Sequence, residues 1–130
     1  MNILVSGSPS FSNYQTFIRG VGVAIDESLP RDSDGNPVLQ DNAINMINIY
    51  SAGPVNINNY TAEFVNLTER SVKSMGYKIR YHRYPYRRCV SEIKNWDLDV
   101  VVTFGITDPT SDPISVTSKL SGIRVNSYNK

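Results

Sequence analysis

The chain reads as a single α/β domain of Rossmann-like build, 1–130, with about five mainly parallel strands in the order 3-2-1-4-5 flanked by helices. Three observations predict this. Apolar runs of strand length alternate with stretches of helical periodicity from end to end. The strongest apolar runs stop at loops of glycine, serine and proline. No repeat, low-complexity tract or linker divides the 130 residues. Parallel strands joined by right-handed crossovers account for such an alternation with the fewest assumptions.

In chain order, Asn2 to Ser6 (NILVS) reads as a buried strand ending in the turn signal Gly7-Ser8-Pro9. From Asn13 to Leu29 the residues Tyr14, Phe17, Ile18, Val21, Ala24 and Ile25 recur mostly at spacings of three and four, which is a helix stripe. Ser10, Ser12 or Asn13 can cap it and Pro30 stops it. Gly20 and Gly22 each lower helix propensity by about 1 kcal/mol, which close packing against the sheet would explain. Arg31 to Asp41 (RDSDGNPVLQD) is aperiodic and turn-rich, a loop insertion at about 30–42 with a tight turn at Asp34-Gly35.

Ala43 to Tyr50 is a second strand, with Ile44, Met46 and Tyr50 at alternate positions. After the loop Ser51 to Asn58, Asn58 or Asn59 caps a helix through Ala62, Phe64, Val65, Leu67 and Val72 to Met75, closed by Gly76. Tyr77 to Arg83 alternates with period two, as expected near a sheet edge, and a short helix follows from Arg88 to Asn95. Asp99 to Phe104 is the most apolar strand. Beyond the polar loop Gly105 to Asp112, Asp112 as N-cap and Pro113 at the first helical position open a helix to Leu120. Gly122 ends it and Ile123 to Asn126 makes a fifth strand.

Composition narrows the function. With 40% hydrophobic and 19% charged residues the chain is too apolar for a disordered protein, and its apolar runs are too short for a membrane span. Met1 leads directly into a strand pattern without a leader, and the lone Cys89 has no disulfide partner, so a cytoplasmic protein is expected. His82 is the only histidine, and Asp108 and Asp112 read as turn and cap residues, so neither a metal nor a cofactor is expected. A net charge of +1 argues against extended nucleic-acid binding. One stretch stands apart, Lys78 to Arg88 (KIRYHRYPYRR), which interleaves cations with tyrosines. It can hold a phosphate and stack a base, or it is a solvated strand end.

In open parallel sheets ligands bind beyond the carboxyl ends of the strands. Three loops belong there: Gly7-Ser8-Pro9-Ser10, Ser51-Ala52-Gly53-Pro54 and Gly105-Ile106-Thr107-Asp108. Each joins glycine to small polar residues and leads towards a helix N-terminus, where free N–H groups favour an anion such as phosphate. Arg87 and Arg88, between the third strand and its helix, could grip a phosphate bidentately. Tyr14, Tyr50, Tyr60 and Tyr84 could stack a base or simply pack.

The order VSGSPSFSNYQTF, IYSAGPVNINNYTAEFVNLTERSVKSMGYKIRYHRYP, DVVVTFGITDP and GIRVNSY resembles the SLOG superfamily, closest to the YspA-like branch and related to DprA and LOG proteins. Where that branch ends its first strand in Gly-Ser-Arg-x-Phe, this chain has Gly7-Ser8-Pro9-Ser10-Phe11. The family's Gly-Gly-x-x-Gly-x-Asp loop corresponds to Ala52 through Asn58, with Gly53 kept and Asn58 at the acidic position. Its Gly-Thr loop corresponds to Gly105-Ile106-Thr107, and Arg87 and Arg88 stand where it carries an Arg-Asn pair. No glutamate follows in the last short helix, so the catalytic signature of the LOG enzymes is missing.

The resemblance implies nucleotide-like ligand binding. With the loop chemistry and the shortage of acid–base candidates, it leads to the expectation of a non-catalytic binder of a nucleotide or nucleotide-derived small molecule, held by Gly7, Ser8, Pro9, Ser51, Ala52, Gly53, Arg87, Arg88, Gly105, Thr107 and Asp108. A homo-oligomer is expected because pockets of small α/β domains are often completed by a neighbour. Two alternatives stay open. One is an enzyme hydrolysing an N-glycosidic bond, with Glu63, Glu69 or Asp108 as its carboxylate and Ser8, Arg87 or Arg88 on the phosphate. The other is a ligand-free interaction module of the kind a phage protein turns on a host factor.

Overall fold

In the computed structural model, which describes residues 1–36 and 45–129, five strands form one parallel sheet. They are β1 (Asn2–Gly7), β2 (Met46–Ala52), β3 (Lys78–Tyr84), β4 (Val100–Phe104) and β5 (Arg124–Tyr128), in the order β3-β2-β1-β4-β5. The strand order expected from sequence is the one found. β1 and β4 lie in the middle and are apolar almost throughout because helices cover both their faces. β3 and β5, at the edges, bury only Ile79, and their other residues are exposed or half-buried.

Successive side chains of a strand point to opposite faces, and the two faces carry different cores. On one, α1 (Tyr14–Ser28) and α2 (Val55–Ser74) bury Phe17, Val21, Ile57 and Phe64 against Ile3, Val5 and Phe104. On the other, the short α3 (Tyr86–Glu92) and α4 (Pro113–Leu120) bury Cys89 and Ile114 against Leu4, Ala52 and Val101. The chain therefore changes faces between β1, which feeds α1, and β4, which feeds α4. That change is the topological switch point, where open sheets of this kind leave a crevice.

Several boundaries follow from local chemistry. Asn13 is the α1 N-cap, its Oδ1 accepting from the Thr16 N–H, and the chain leaves the helix at Leu29 with extended backbone, as the residue before proline must. At the Asp34-Gly35 turn, Gly35 takes φ +83° while Asp32 Oδ1 accepts from the Asp34 and Asn36 N–H groups. The rest of the expected insertion, and Ala43 and Ile44 of the expected second strand, lie outside the described residues. β2 runs on to Ala52 because Ser51 and Ala52 continue the ladder opposite Val5 and Ser6. β5 likewise reaches Tyr128, opposite Phe104.

Three expectations are corrected. α2 starts at Val55 with Pro54 at the N-cap position, so neither Asn58 nor Asn59 caps it. α3 starts at Tyr86, not Arg88, because Pro85 has the extended ψ an N-cap needs and its carbonyl accepts from the Cys89 N–H. Close packing explains only one of the two α1 glycines. A Cβ on Gly20 would stand 2.9 Å from the Phe104 and Tyr128 rings, whereas one on Gly22 would meet nothing within 4 Å.

The two glycines should therefore respond oppositely to alanine. Gly22→Ala is expected to raise stability by about 0.5–1 kcal/mol through helix propensity. Gly20→Ala is expected to lower it by about 1–2 kcal/mol, since crowding the buried Phe104 ring and the half-buried Tyr128 ring outweighs the same gain. Urea denaturation of the two variants checks both signs, and equal shifts would refute the packing account.

Candidate functional site

The carboxyl ends of β1, β2 and β4 open onto one depression of about 600 Å³. Gly7, Ser8 and Pro9 line it from the first loop, Gly53 and Pro54 from the second, and Gly105, Ile106, Thr107 and Asp108 from the third. Tyr86 of α3, with Ser111 and Asp112 ahead of α4, closes the remaining side. Two glycines hold left-handed backbone that other residues resist, Gly53 at φ +107° and Gly105 at φ +74°. Gly7 serves close approach instead. A Cβ there would stand 2.7 Å from both Ile57 Cδ1 and the Phe104 carbonyl oxygen.

The loops are tied down by the start of α2. Asn56 Nδ2 donates to the Ser8 carbonyl at 3.0 Å and the Phe11 carbonyl at 2.8 Å, strapping the β1–α1 loop to the helix. Asn58 Nδ2 donates to the Gly53 carbonyl at 3.2 Å, and its Oδ1 accepts from the Ser51 hydroxyl at 2.6 Å, doing the same for the β2–α2 loop. The Ser8 N–H donates to the Phe104 carbonyl at 2.8 Å, which aligns the third loop with the first, and the Gly105 N–H donates to that of Tyr128 at 2.7 Å, which ties the third loop to the end of β5. Sequence reasoning missed Asn56 altogether. The signal available was Asn-x-Asn at a loop–helix junction, which a capping residue produces equally well.

Of the residues singled out from sequence, Gly7, Ser8, Pro9, Gly53, Gly105, Thr107 and Asp108 meet at this depression. Ser51 and Ala52 do not line it. Both are fully buried, Ser51 bonded to Asn58 and Ala52 packed in the core beneath α3. Arg87 and Arg88 are exposed on α3 and do not line it either; the Arg88 guanidinium lies over the Tyr84 ring, 4.6 Å from its centroid.

Tyr86, Ser111 and Asp112 join the lining from the α3 and α4 side. The Tyr86 hydroxyl donates to Asp112 Oδ1 and accepts from the Ile114 N–H at 3.3 Å, while Asp112 Oδ2 accepts from the Ser115 N–H and hydroxyl at 3.2 and 2.7 Å. Burial, and then the hydrogen bond to Asp112, push the Tyr86 phenol well above its ordinary range. Asp108 is held below the usual carboxylate range by the Thr110 and Ser111 hydroxyls, which donate to its two oxygens.

The wall is consequently unusual for an anion site. It carries Asp108 and Asp112 and, among the described residues, no lysine or arginine. What it offers an anion is backbone. No side chain caps the first turn of α2, whereas Asp112 fills that position at α4. Glu63 and Glu69 do not reach the cleft. Glu63 hydrogen-bonds Tyr14, and Glu69 lines a separate hollow between α2 and β3.

A second depression of about 560 Å³ lies at the other end of the sheet, where β4 and β5 begin. It is lined by Lys94, Asp97, Asp99 and Arg124, charges of both signs, and it is away from the switch point. No group of three or more His, Cys, Asp or Glu side chains among the described residues could hold a metal ion. Cys89 is buried within α3, and desolvation pushes its thiol up to about 11, far from a nucleophilic thiolate at neutral pH. Among the described residues no helix is long and apolar enough to cross a membrane.

No protein-family model matches the chain, and no curated protein matches it. Among solved structures, Mycobacterium tuberculosis shikimate dehydrogenase superposes on 97% of this chain at 17% sequence identity and a TM-score of 0.44. The chain spans 43% of that protein's length. So loose a match adds nothing to what strand order and register already establish, a Rossmann-like parallel α/β fold.

Asp112 joins α4 to α3, so its loss should be felt at both helices. Asp112→Ala is expected to lower stability by about 2–3 kcal/mol, combining a lost cap with a half-buried phenol left without its acceptor. Tyr86→Phe, which leaves the cap in place, should cost about 1 kcal/mol. Chemical denaturation of the pair provides the measurement, and equal losses would contradict the double role.

Proposed function

We propose that the protein is a non-catalytic receptor for a nucleotide or nucleotide-derived small molecule, which it holds at the carboxyl-end cleft. One observation carries the reading: three glycine-bearing loops converge at the switch point beside a helix start that no side chain caps. The resemblance of these loops to the SLOG superfamily, closest to its YspA-like branch, points the same way. In this reading the cleft is completed in a cytoplasmic homo-oligomer, a second copy covering its open side.

The lining also bears on the kind of ligand. With two carboxylates and, among the described residues, no cation in its lining, the cleft favours a ligand bearing one phosphate, or a sugar hydroxyl donated to Asp108, over a di- or triphosphate. Catalysis finds little support here. Asp108 is the only one of the three carboxylates considered for glycosidic hydrolysis that lines the cleft, and its lowered pKa makes it a poor proton donor at neutral pH.

Differential scanning fluorimetry against AMP, cyclic nucleotides, ADP-ribose and NAD tests the proposal. A ligand at a hundredfold its Kd adds about 2.7 kcal/mol, or about 10 °C in Tm for a domain of this size. AMP or a cyclic mononucleotide is expected to give the largest shift. Thr107→Trp, placed on the exposed rim of the cleft, should abolish it while leaving the unliganded transition unchanged. A flat response to the whole panel at millimolar concentration would overturn the proposal.

A further inference from the structure

One margin of the sheet carries an aromatic and basic surface that the cleft does not use. β3 is the outer strand, and α3 and α4 pack on the far face over Leu4, Ala52 and Val101, towards the sheet's middle. Rings stand on the β2–β3 margin of that face. Trp96 stacks on Tyr50 with centroids 4.4 Å apart and planes 11° apart, and Tyr50 stacks on its cross-strand neighbour His82 at 4.9 Å and 23°. The ladder runs across the strands and ends at the free edge, with every member half-buried. His82 Nε2 lies 3.1 Å from Asn48 Oδ1, which fixes the last ring in line.

Charge gathers at the same margin. Five of the chain's 13 cations fall between Lys78 and Arg88, a stretch without a single carboxylate, and the remaining eight face all 12 acidic residues. Lys78 and Arg80 are exposed and alternate with Ile79, so they share the face of His82, and Arg88 extends the cationic line past Tyr84. The chain's near-neutral total conceals a local excess, which Glu69, in the hollow it shares with Lys73, Lys78 and Arg80, offsets only in part. Burial and the nearby Arg80 charge lower the His82 pKa, so its ring stands neutral at pH 7 and adds stacking surface rather than charge.

We infer that this margin binds a short stretch of single-stranded nucleic acid running along β3, one base of which stacks on His82 at the outer end of the ladder while the phosphates on either side lie on Lys78, Arg80 and Arg88. A ring at the end of a stack, beside a line of cations along the edge strand, suits one base and its flanking phosphates. An acidic peptide would use the cations and leave the rings idle, and a duplex keeps its bases stacked on one another. Three cations suit a few nucleotides, not a long tract. The site is separate from the cleft, whose lining contains none of these residues.

Fluorescence anisotropy of the full chain with a labelled oligothymidylate of about ten nucleotides tests the inference. Saturable binding is expected, with log K falling against log salt at a slope of about −2, as about three phosphate contacts on a single strand give. His82→Ala should weaken binding about tenfold through lost stacking. Arg80→Glu, at an exposed position that should leave folding intact, should weaken it further and flatten the slope by about 0.7 or more. Three results would overturn the inference: no saturable binding, wild-type affinity in Arg80→Glu, or a duplex or polyglutamate competing as well as unlabelled oligothymidylate. Failure of the mononucleotide panel at the cleft would leave this outcome untouched, since different residues are probed.

Discussion

Asn56 and Asn58 stand in the first turn of α2 and donate their side-chain amides to carbonyl groups in two different loops, and the shape of the cleft depends on those straps. A loop of glycine, serine and proline has many conformations open to it, and ordering each backbone residue costs about 1–2 kcal/mol. Two hydrogen bonds from one amide to Ser8 and Phe11, backed by the close seat of Ile57 against Gly7, select one of them. The same helix start stays free of a side-chain cap. One turn of helix thus both shapes the cleft and leaves its own amide end available.

Polarity is distributed with the same economy. The cleft wall carries carboxylates already committed elsewhere: Asp112 to the start of α4 and the Tyr86 hydroxyl, Asp108 to Thr110 and Ser111. Asp108, held below the usual carboxylate range, stays ionised, so a ligand must present hydroxyl or amino donors to this wall and reserve any anion for backbone amides. Cations collect instead along β3 and the start of α3, beside the half-buried ladder of stacked rings. Net charge alone predicts neither arrangement, because the two patches cancel in the sum.

The fold was legible because its signals are local and redundant. Val100 to Phe104 could hardly be anything but a buried strand, and Asp112-Pro113 states its helix start twice, by cap and by fixed φ. The cleft was half legible. Loops at Gly7, Gly53 and Gly105 announce themselves by composition, and parallel topology brings them together. Side-chain direction was not legible. Arg87 and Arg88 follow β3 as a phosphate-binding pair would, yet a helix that begins two residues earlier, at Tyr86, places Tyr86 at the cleft and the arginines outside it. Asn58 failed as a cap for a similar reason, since Pro54 had already opened the helix and freed its amide to hold Gly53. The two-residue shift at the start of α3 turns its side chains by more than half a turn from where they were expected, and composition does not encode that shift.

The dependence of the cleft on α2 is most directly tested by amide hydrogen exchange, residue by residue, in Asn56→Ala against the parent chain. The account predicts faster exchange at Ser10 and Phe11, where the strapped loop loses its anchor, by about tenfold for each 1.4 kcal/mol of lost local stability, with Leu4 and Val5 in the central strand unchanged. Unaltered protection at Phe11 in a folded Asn56→Ala variant would contradict it.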